Sequence, residues 1–446
     1  MSESSLRELG LDLMAERQFE RALAVFAEGV RRSPADHRAR MLAARCLVEL
    51  GERERAVTTL HACAEGLLRR DYLLSAIAAC KLALELSPTE RRLRDTLVRV
   101  HARAARATSG RAQVPPPLPP DALYDGRVDT DLMGLAGEQL VSRAIEVLAA
   151  PDPGGAADAD ARPPLPLFAD LEREAFLDLV GRMGYRSAEE GEAVSREGER
   201  GDTLYVLVAG KAEVARRSEG SARTLGFLGG GSIFGELALL TGAPPTATVT
   251  AVAPSELFEI RREHLNAVAK SHPSVPQVLA DFAQQRMARN LTATSPLFQG
   301  LPESERAALL QRFSFRALQP QEHALTEGEH SPGLFLVLAG ELVVQKEDPA
   351  GGHVSLGILR EGDVAGEISL LTGLRATATV VSTRKTAAAF LERRSFDDLV
   401  QRYPHTRSYL EQLSTRRLKQ IGEALRPAEI IDADELVVDA ERELRP

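Results

Sequence analysis

One segment of the sequence occurs twice, and this duplication constrains the fold more than any other feature. Phe234 to Val249 reads Phe-Gly-Glu-Leu-Ala-Leu-Leu-Thr-Gly-Ala-Pro-Pro-Thr-Ala-Thr-Val. Ala365 to Val380, about 131 residues downstream, reads Ala-Gly-Glu-Ile-Ser-Leu-Leu-Thr-Gly-Leu-Arg-Ala-Thr-Ala-Thr-Val. Each copy predicts a glycine turn, one turn of helix, a tight loop and a new strand. Such a junction directs backbone N–H groups and a helix dipole at one spot, which suits an anion.

The two segments resemble the phosphate-binding cassette of cyclic nucleotide-binding domains, the family of protein kinase A regulatory subunits and the catabolite activator protein. The resemblance implies that the glycine and glutamate of each segment hold a ribose, and that helix N–H groups and a following arginine hold a cyclic phosphate. It implies these ligand-binding residues: Phe234, Gly235, Glu236, Leu237, Ala238, Thr246 and Ala247 in the first copy, and Gly366, Glu367, Ile368, Ser369, Arg375, Thr377 and Ala378 in the second.

Both copies lack the arginine that the family places after the short helix. Pro245 occupies its position in the first copy and Ala376 in the second. A charge-assisted hydrogen bond contributes about 1.5–3 kcal/mol. Its loss is therefore expected to weaken binding of cyclic AMP or cyclic GMP on the order of tenfold to several-hundredfold. A cyclic nucleotide stays the ligand that the resemblance implies, and no cofactor or metal ion is expected.

Three alternatives stay open at these segments. Arg375 either turns into the second site through a loop rearrangement or faces solvent, because neighbours in an extended loop point in opposite directions. The threonines at 246 and 377 accompany a guanine preference in the family, or are ordinary residues beside a strand. Glu236 and Glu367 either bind ribose or cap the start of a helix.

The sequence around each copy follows one plan. The turns at 197–202 and 327–333 each precede an apolar run, and alternating Val, Leu and Phe are typical of half-buried antiparallel strands. Helices are expected at 168–183, 262–287, 301–313 and 396–424. We predict two β-roll (jelly-roll) domains with flanking helices, at residues 165–290 and 295–424.

Residues 5–106 predict an α-helical repeat array, so the fold class is multidomain α+β. Apolar residues recur at helical period, and the first unit resembles the tetratricopeptide repeat in its residues Leu9, Gly10, Leu13, Ala22, Phe26, Gly29 and Pro34. The array is predicted to contain about three such units, of which the third is a degenerate half. Such arrays stack into a concave surface that usually binds a peptide or protein. The alternative is a helical cap that packs on the rest of the chain or dimerises.

Two segments remain outside these domains. Residues 107–164 predict a linker, because the run Pro115-Pro116-Pro117-Leu118-Pro119-Pro120 cannot be helix interior. One amphipathic helix is expected within it, over 129–149, either as a partner-binding segment or leaning on a neighbouring domain. Residues 425–446 predict an acidic tail, either mobile or docking as a short motif.

The three cysteines, Cys46, Cys63 and Cys80, are spaced 17 residues apart. With His61 they could suggest a metal site, but no Cys-x-x-Cys pair is present. The spacing is half of a repeat of about 34 residues, which places one thiol on each helix and favours buried packing. So few cysteines in a chain of this size indicate a reducing compartment, the cytoplasm.

Several classes of function find no support in the sequence. A net charge of −9 disfavours non-specific nucleic-acid binding. No apolar run is long enough for a membrane helix, and no catalytic triad or P-loop motif is present. We predict a non-enzymatic regulatory protein that couples sensing of a cyclic-nucleotide-like ligand to protein–protein interaction through the repeats. The alternatives are a ligand-independent adaptor with degenerate pockets, and a regulator of an enzyme on a separate chain.

Overall fold

The structure is a computed structural model of the 446-residue chain. It describes residues 6–106, 130–151, 166–199, 201–218, 221–283, 295–298, 312–347 and 352–424, with the single residues 301, 305 and 309. The chain divides into two compact units, Met1–Gln285 and Arg286–Pro446. Among the helices in the described ranges, none combines the length and the apolar character that crossing a membrane requires.

Six helices open the first unit and confirm the predicted array. They pack as three successive hairpins, α1 (Leu6–Ala15), α2 (Phe19–Arg32), α3 (His37–Glu49), α4 (Arg53–Arg69), α5 (Leu73–Leu86) and α6 (Arg91–Arg106). The third hairpin is complete, although its sequence shows only half of the repeat pattern. Gly10 lets α1 and α2 approach, because a Cβ at this position would collide with the Phe26 ring.

The helix expected over 129–149 is two helices, so the prediction of a single one is wrong. They are α7 (Thr130–Met133) and α8 (Gly137–Leu148), and the expected cap residue Asp129 lies outside the described residues. The break falls at Gly134–Ala136, and Gly137 has a φ of 53°. Both helices pack on α2, and α8 also contacts α3 and α4.

The first β-roll follows two short helices, α9 (Pro166–Ala169) and α10 (Arg173–Arg182), where the sequence predicted one. Its eight strands are β1 (Gly184–Ala188), β2 (Ala193–Ser195), β3 (Thr203–Ala209), β4 (Lys211–Ser218), β5 (Ser221–Gly229), β6 (Ile233–Phe234), β7 (Thr248–Ala251) and β8 (Ser255–Arg261). They form two antiparallel sheets of order β1-β8-β3-β6 and β2-β7-β4-β5. Helix α11 (Glu236–Thr241) interrupts the roll, and α12 (Arg262–Ser271) and a helical stretch at 275–283 follow it.

The second unit repeats this architecture. Its strands are β9 (Ser314–Leu318), β10 (His323–Leu325), β11 (Gly333–Ala339), β12 (Leu342–Glu347), β13 (His353–Leu359), β14 (Val364–Ala365), β15 (Thr379–Ser382) and β16 (Thr386–Glu392). The sheets have the orders β14-β11-β16-β9 and β10-β15-β12-β13. Helix α13 (Glu367–Thr372) lies within the roll, and α14 (Arg393–Arg402) and α15 (Pro404–Ala424) follow. The helix expected at 301–313 falls largely outside the described residues.

Within the first unit, the array and the β-roll share one continuous hydrophobic core. Helix α6 packs on α9 and α10, and α5 packs on α10, β1 and β3. The His101 ring lies 5.0 Å from the Phe176 ring and shares a 2.8 Å hydrogen bond with the Leu171 carbonyl oxygen. The Lys81 ammonium donates to the Gly181 carbonyl oxygen at 2.9 Å. The array is thus built into the unit as a packed layer.

Truncation of Phe176 tests this shared core. The side chain is fully buried between His101 of the array and Phe168, whose ring is 6.0 Å away. Phe176→Ala is expected to lower the free energy of unfolding of the first unit by about 3–5 kcal/mol. Hydrogen exchange would then show α5, α6, β1 and β3 losing protection together. Loss of protection in the β-roll alone would contradict a common core.

Thiol labelling tests the packing of the cysteines. Cys46, Cys63 and Cys80 are all fully buried. Burial raises the pKa of Cys46 and of Cys63 to about 12, and it raises the pKa of Cys80 as well. At pH 8 the folded protein is expected to leave all three thiols unreacted with an aromatic disulfide reagent, and denaturant to release three. Rapid labelling of any thiol in the folded chain would contradict this packing.

Candidate functional site

Each duplicated segment turns from strand to helix at a glycine that no other residue can replace. Gly235 has a φ of 87° and Gly366 a φ of 97°, a region that favours glycine. A Cβ on Gly366 would lie 2.6 Å from the Gly333 carbonyl oxygen, and one on Gly235 would collide with the Thr203 carbonyl oxygen. The tight approach places the following glutamate at the first position of each short helix, against the neighbouring strand.

The second unit contains a cavity of about 230 Å³ beside this turn. Strands β10, β12, β13 and β15, helix α13 and helix α15 supply its walls. Its apolar wall is formed by Leu325, Val344, Leu356, Ile358, Leu359, Ala365, Ile368, Ala376, Ala378, Val380 and Ile421. Its polar side chains are Asp363, Glu367, Ser369, Thr377 and Arg417. A planar apolar group with a hydroxyl-bearing end fits such a lining.

A buried ion pair closes the polar end of the cavity. The Arg417 Nη1 on α15 donates to Glu367 Oε1 at 2.8 Å and to the Val364 carbonyl oxygen at 2.6 Å. Glu367 is 2% exposed and Arg417 19% exposed. The pair therefore joins the start of α13 to α15.

Six of the seven residues predicted for the second site line this cavity. They are Gly366, Glu367, Ile368, Ser369, Thr377 and Ala378. Arg375 does not line it, because its exposed side chain donates from Nη1 to the Gly328 carbonyl oxygen at 2.8 Å. Of the two alternatives for this arginine, the structure places it at the surface loop.

Backbone hydrogen bonds fix the residue at the family's arginine position. The Ala376 N–H donates to the Glu329 carbonyl oxygen at 2.7 Å, and the Ala376 carbonyl oxygen accepts from Gly328 N–H at 2.9 Å. In the first unit the Pro245 carbonyl oxygen accepts the matching bond from Gly198 N–H at 3.0 Å. Proline has no N–H, so it keeps only the accepting half of this pattern.

In each unit, a basic side chain on the neighbouring strand donates a hydrogen bond to a backbone carbonyl oxygen near the end of the duplicated segment. Lys346 on β12 donates from Nζ to the Thr377 carbonyl oxygen at 3.0 Å and also pairs with Glu327. Arg216 on β4 donates from Nε to the Thr246 carbonyl oxygen at 2.9 Å. Each cation is thereby directed at the backbone of the loop in its own unit. Lys346 is not among the described residues that line the cavity of the second unit.

The first segment is packed tightly around its glutamate. Phe234 stacks on Tyr205 at 5.1 Å, and Glu236 is 8% exposed. The Ala238 carbonyl oxygen accepts from Arg262 Nη2 at 3.2 Å. Of the remaining predicted residues, Leu237, Thr246 and Ala247 are half-buried. The structure thus brings the predicted residues of the first segment to one junction, as it does in the second.

Sequence reasoning missed Arg417, Lys346 and Asp363. The repeat offset carried a signal for the arginine, because Arg286 precedes Arg417 by the same 131 residues that separate Glu236 from Glu367. Arg286 itself lies outside the described residues. Within the described part of the chain, no group of three or more His, Cys, Asp or Glu side chains is arranged to hold a metal ion.

Two sequence families match the chain. The model of the cyclic nucleotide-binding domain matches residues 185–272 and 315–403, and that of the tetratricopeptide repeat matches residues 13–65. The chain is 29% identical over 236 residues to the cAMP-dependent protein kinase regulatory subunits of Yarrowia lipolytica and of Blastocladiella emersonii. Each match covers 52% of this chain, and the chain spans 58% and 56% of the respective relatives.

Solved structures are similar at lower levels. The regulatory domain of Toxoplasma gondii PKA with cAMP is 26% identical, with 57% of this chain and 92% of that chain covered and a TM-score of 0.28. The regulatory subunit of a cAMP-independent protein kinase A from Trypanosoma brucei is 22% identical, with 58% and 88% covered and a TM-score of 0.28.

A double-mutant cycle tests the buried ion pair. Arg417→Met leaves the Glu367 carboxylate buried without its guanidinium, and is expected to lower the free energy of unfolding of the second unit by about 3–5 kcal/mol. Glu367→Gln combined with Arg417→Met is expected to recover most of that loss, because no unpaired charge remains. Urea denaturation of the four proteins measures the cycle, and additive losses would contradict direct pairing.

Proposed function

We propose that this chain, which carries two cyclic nucleotide-binding domains behind an N-terminal tetratricopeptide repeat, is a non-catalytic regulatory protein. In this proposal a cyclic-nucleotide-type ligand binds in the second domain, and the repeats bind a protein. The observation that carries it is the Arg417–Glu367 pair, because the residue expected to meet the ligand is tied to helix α15. We place the protein in the cytoplasm, with the domain boundaries predicted from the sequence.

The pocket supports the following sequence of events. Glu367 faces the cavity, where a ribose hydroxyl would donate to its carboxylate. The base of the ligand would lie against the apolar wall, which includes Ile421 of α15. A ribose hydroxyl that donates to Glu367 would compete with the Arg417 guanidinium for the same carboxylate. The ligand would thus bind more tightly when α15 has moved away from Glu367, and this difference in affinity would shift the position of α15.

Similarity supports the regulatory and non-catalytic part of the proposal. The curated relatives are named cAMP-dependent protein kinase regulatory subunits, and the chain spans somewhat over half the length of the first two. The similarity favours a role in which this chain controls another protein. It also makes the regulator of an enzyme on a separate chain one form of this proposal.

A second candidate function rests on the position of the cations. Pro245 and Ala376 replace the family's arginine, and Arg375, Lys346 and Arg216 all donate to loop carbonyl oxygens. A phosphate entering the second cavity would meet Asp363 and Glu367, and Arg417 is the one basic side chain among the described residues that line it. These observations favour an adaptor whose pockets no longer bind a cyclic nucleotide.

Calorimetry and thermal shift with cyclic AMP and cyclic GMP separate the two functions. A regulatory sensor is expected to show binding that Glu367→Ala removes and that Glu236→Ala, the matched change in the first domain, leaves in place. Ala376→Arg is expected to tighten binding at least tenfold, because it returns a charge-assisted bond to the phosphate. If neither the natural chain nor Ala376→Arg responds at millimolar nucleotide, sensing is wrong and the adaptor stands.

A further inference from the structure

Helix α8 lies on the repeat array as a separate short helix. It contacts α2 most extensively, and α3 and α4 at its edge. Its buried side chains are Leu140, Val141, Ala144 and Leu148, each 5% exposed or less. Their spacing places them on one face of a helix. Ala144 is fully buried, so the backbone of α8 approaches the array closely at that point.

An exposed ion pair fixes the direction of α8 on the array. Arg55 of α4 donates from Nη1 to Glu138 Oε2 at 2.9 Å, at the start of α8. Ser142, one turn further on, donates to the same carboxylate at 2.9 Å. The hydrogen bonds from Arg55 and Ser142 lower the pKa of Glu138 to about 2. A basic residue on the array thus faces an acidic residue on the bound helix.

The two covered faces of the array are covered by different parts of the chain. Helices α5 and α6 are packed into the core of the first β-roll through aromatic rings and buried hydrogen bonds. Helix α8 covers the other face with its four buried side chains, which belong to the same hydrophobic core, and with one exposed ion pair. In the chain, residues 107–129 separate α7 and α8 from α6, and residues 152–165 separate them from α9. Helix α8 therefore presents to the array the pattern of a single amphipathic helix in an apolar groove.

We propose that the surface of α2, α3 and α4 beneath α8 is the protein-binding site of the array, and that its partner is an acidic amphipathic helix. Such a helix presents large apolar residues at the positions of Leu140 and Leu148, a small residue at that of Ala144 and a carboxylate opposite Arg55. Helix α8 occupies the site until the partner replaces it. This inference rests on the proposed role of the repeats in binding a protein.

A labelled peptide with the sequence of residues 130–150 serves as the probe in trans. Fluorescence anisotropy compares its binding to the full natural chain and to full-length Ala144→Arg, whose bulky charged side chain cannot enter the contact. The peptide is expected to bind Ala144→Arg at least tenfold more tightly, because the internal helix no longer competes. Gln139→Arg, which adds the same charge at an exposed position of α8, is the matched control and is expected to behave as the natural chain.

A charge exchange makes the test specific for the proposed site. In the Ala144→Arg chain, Arg55→Glu is expected to weaken peptide binding severalfold, and a peptide carrying Glu138→Arg is expected to restore it. If Ala144→Arg loses helix content, Glu138→Arg in the full chain replaces it, with a severalfold gain expected. Absence of peptide binding to the released chains, or binding indifferent to Arg55, overturns the proposal. The assay contains no nucleotide, so its failure is distinct from a failure of ligand sensing.

Discussion

The second unit depends on the left-handed turn at Gly366. The turn brings the chain against the Gly333 carbonyl oxygen and starts α13 at once, which leaves the Glu367 side chain only 2% exposed. A carboxylate buried in this way needs a charged partner, since an uncompensated buried charge is strongly destabilising. Arg417 supplies it from a helix that begins after the β-roll is complete. The position of α15 therefore follows from a backbone constraint some fifty residues earlier in the chain.

The cations near the cavity are directed at the backbone of the loop. A phosphate site needs donors that are free to turn toward the ligand. Here Lys346 and Arg375 instead hold loop carbonyl oxygens, which stabilises the loop at Thr377 and Gly328. In the first unit, the Pro245 carbonyl oxygen accepts a backbone hydrogen bond from Gly198, but proline has no N–H to donate the second one. Backbone hydrogen bonds thus hold both loops, although Pro245 and Ala376 stand where the family has an arginine.

Much of the architecture could be predicted from the sequence because it depends on patterns of residues that are close together in the chain. The glycine turn, the short helix and the alternation of the strands recur at a fixed offset, so each copy supports the other. The array was predictable from its small residues, even where the third unit is degenerate. The two-helix form of 130–148 was not, because the apolar period continues across a break that Gly134 and Gly137 permit.

The parts of the site that escaped prediction are long-range contacts. Arg417 meets Glu367 across fifty residues, and Lys346 meets Thr377 across thirty-one. No periodicity within a window of sequence reports such a pair. Arg375 was ambiguous for a related reason, because the direction of a loop side chain depends on which carbonyl oxygen lies near it, here that of Gly328.

The common core of the first unit bears on how such a chain can be assembled and divided. A repeat array is usually regarded as an interchangeable module, since each repeat contacts its neighbours alone. Here the last hairpin has Phe168, Phe176 and Leu171 as neighbours in place of a polar capping helix. The array is therefore not an independent module, because its last hairpin packs on another part of the same chain. A recombination event that moved residues 6–106 elsewhere would carry an uncapped apolar face with it.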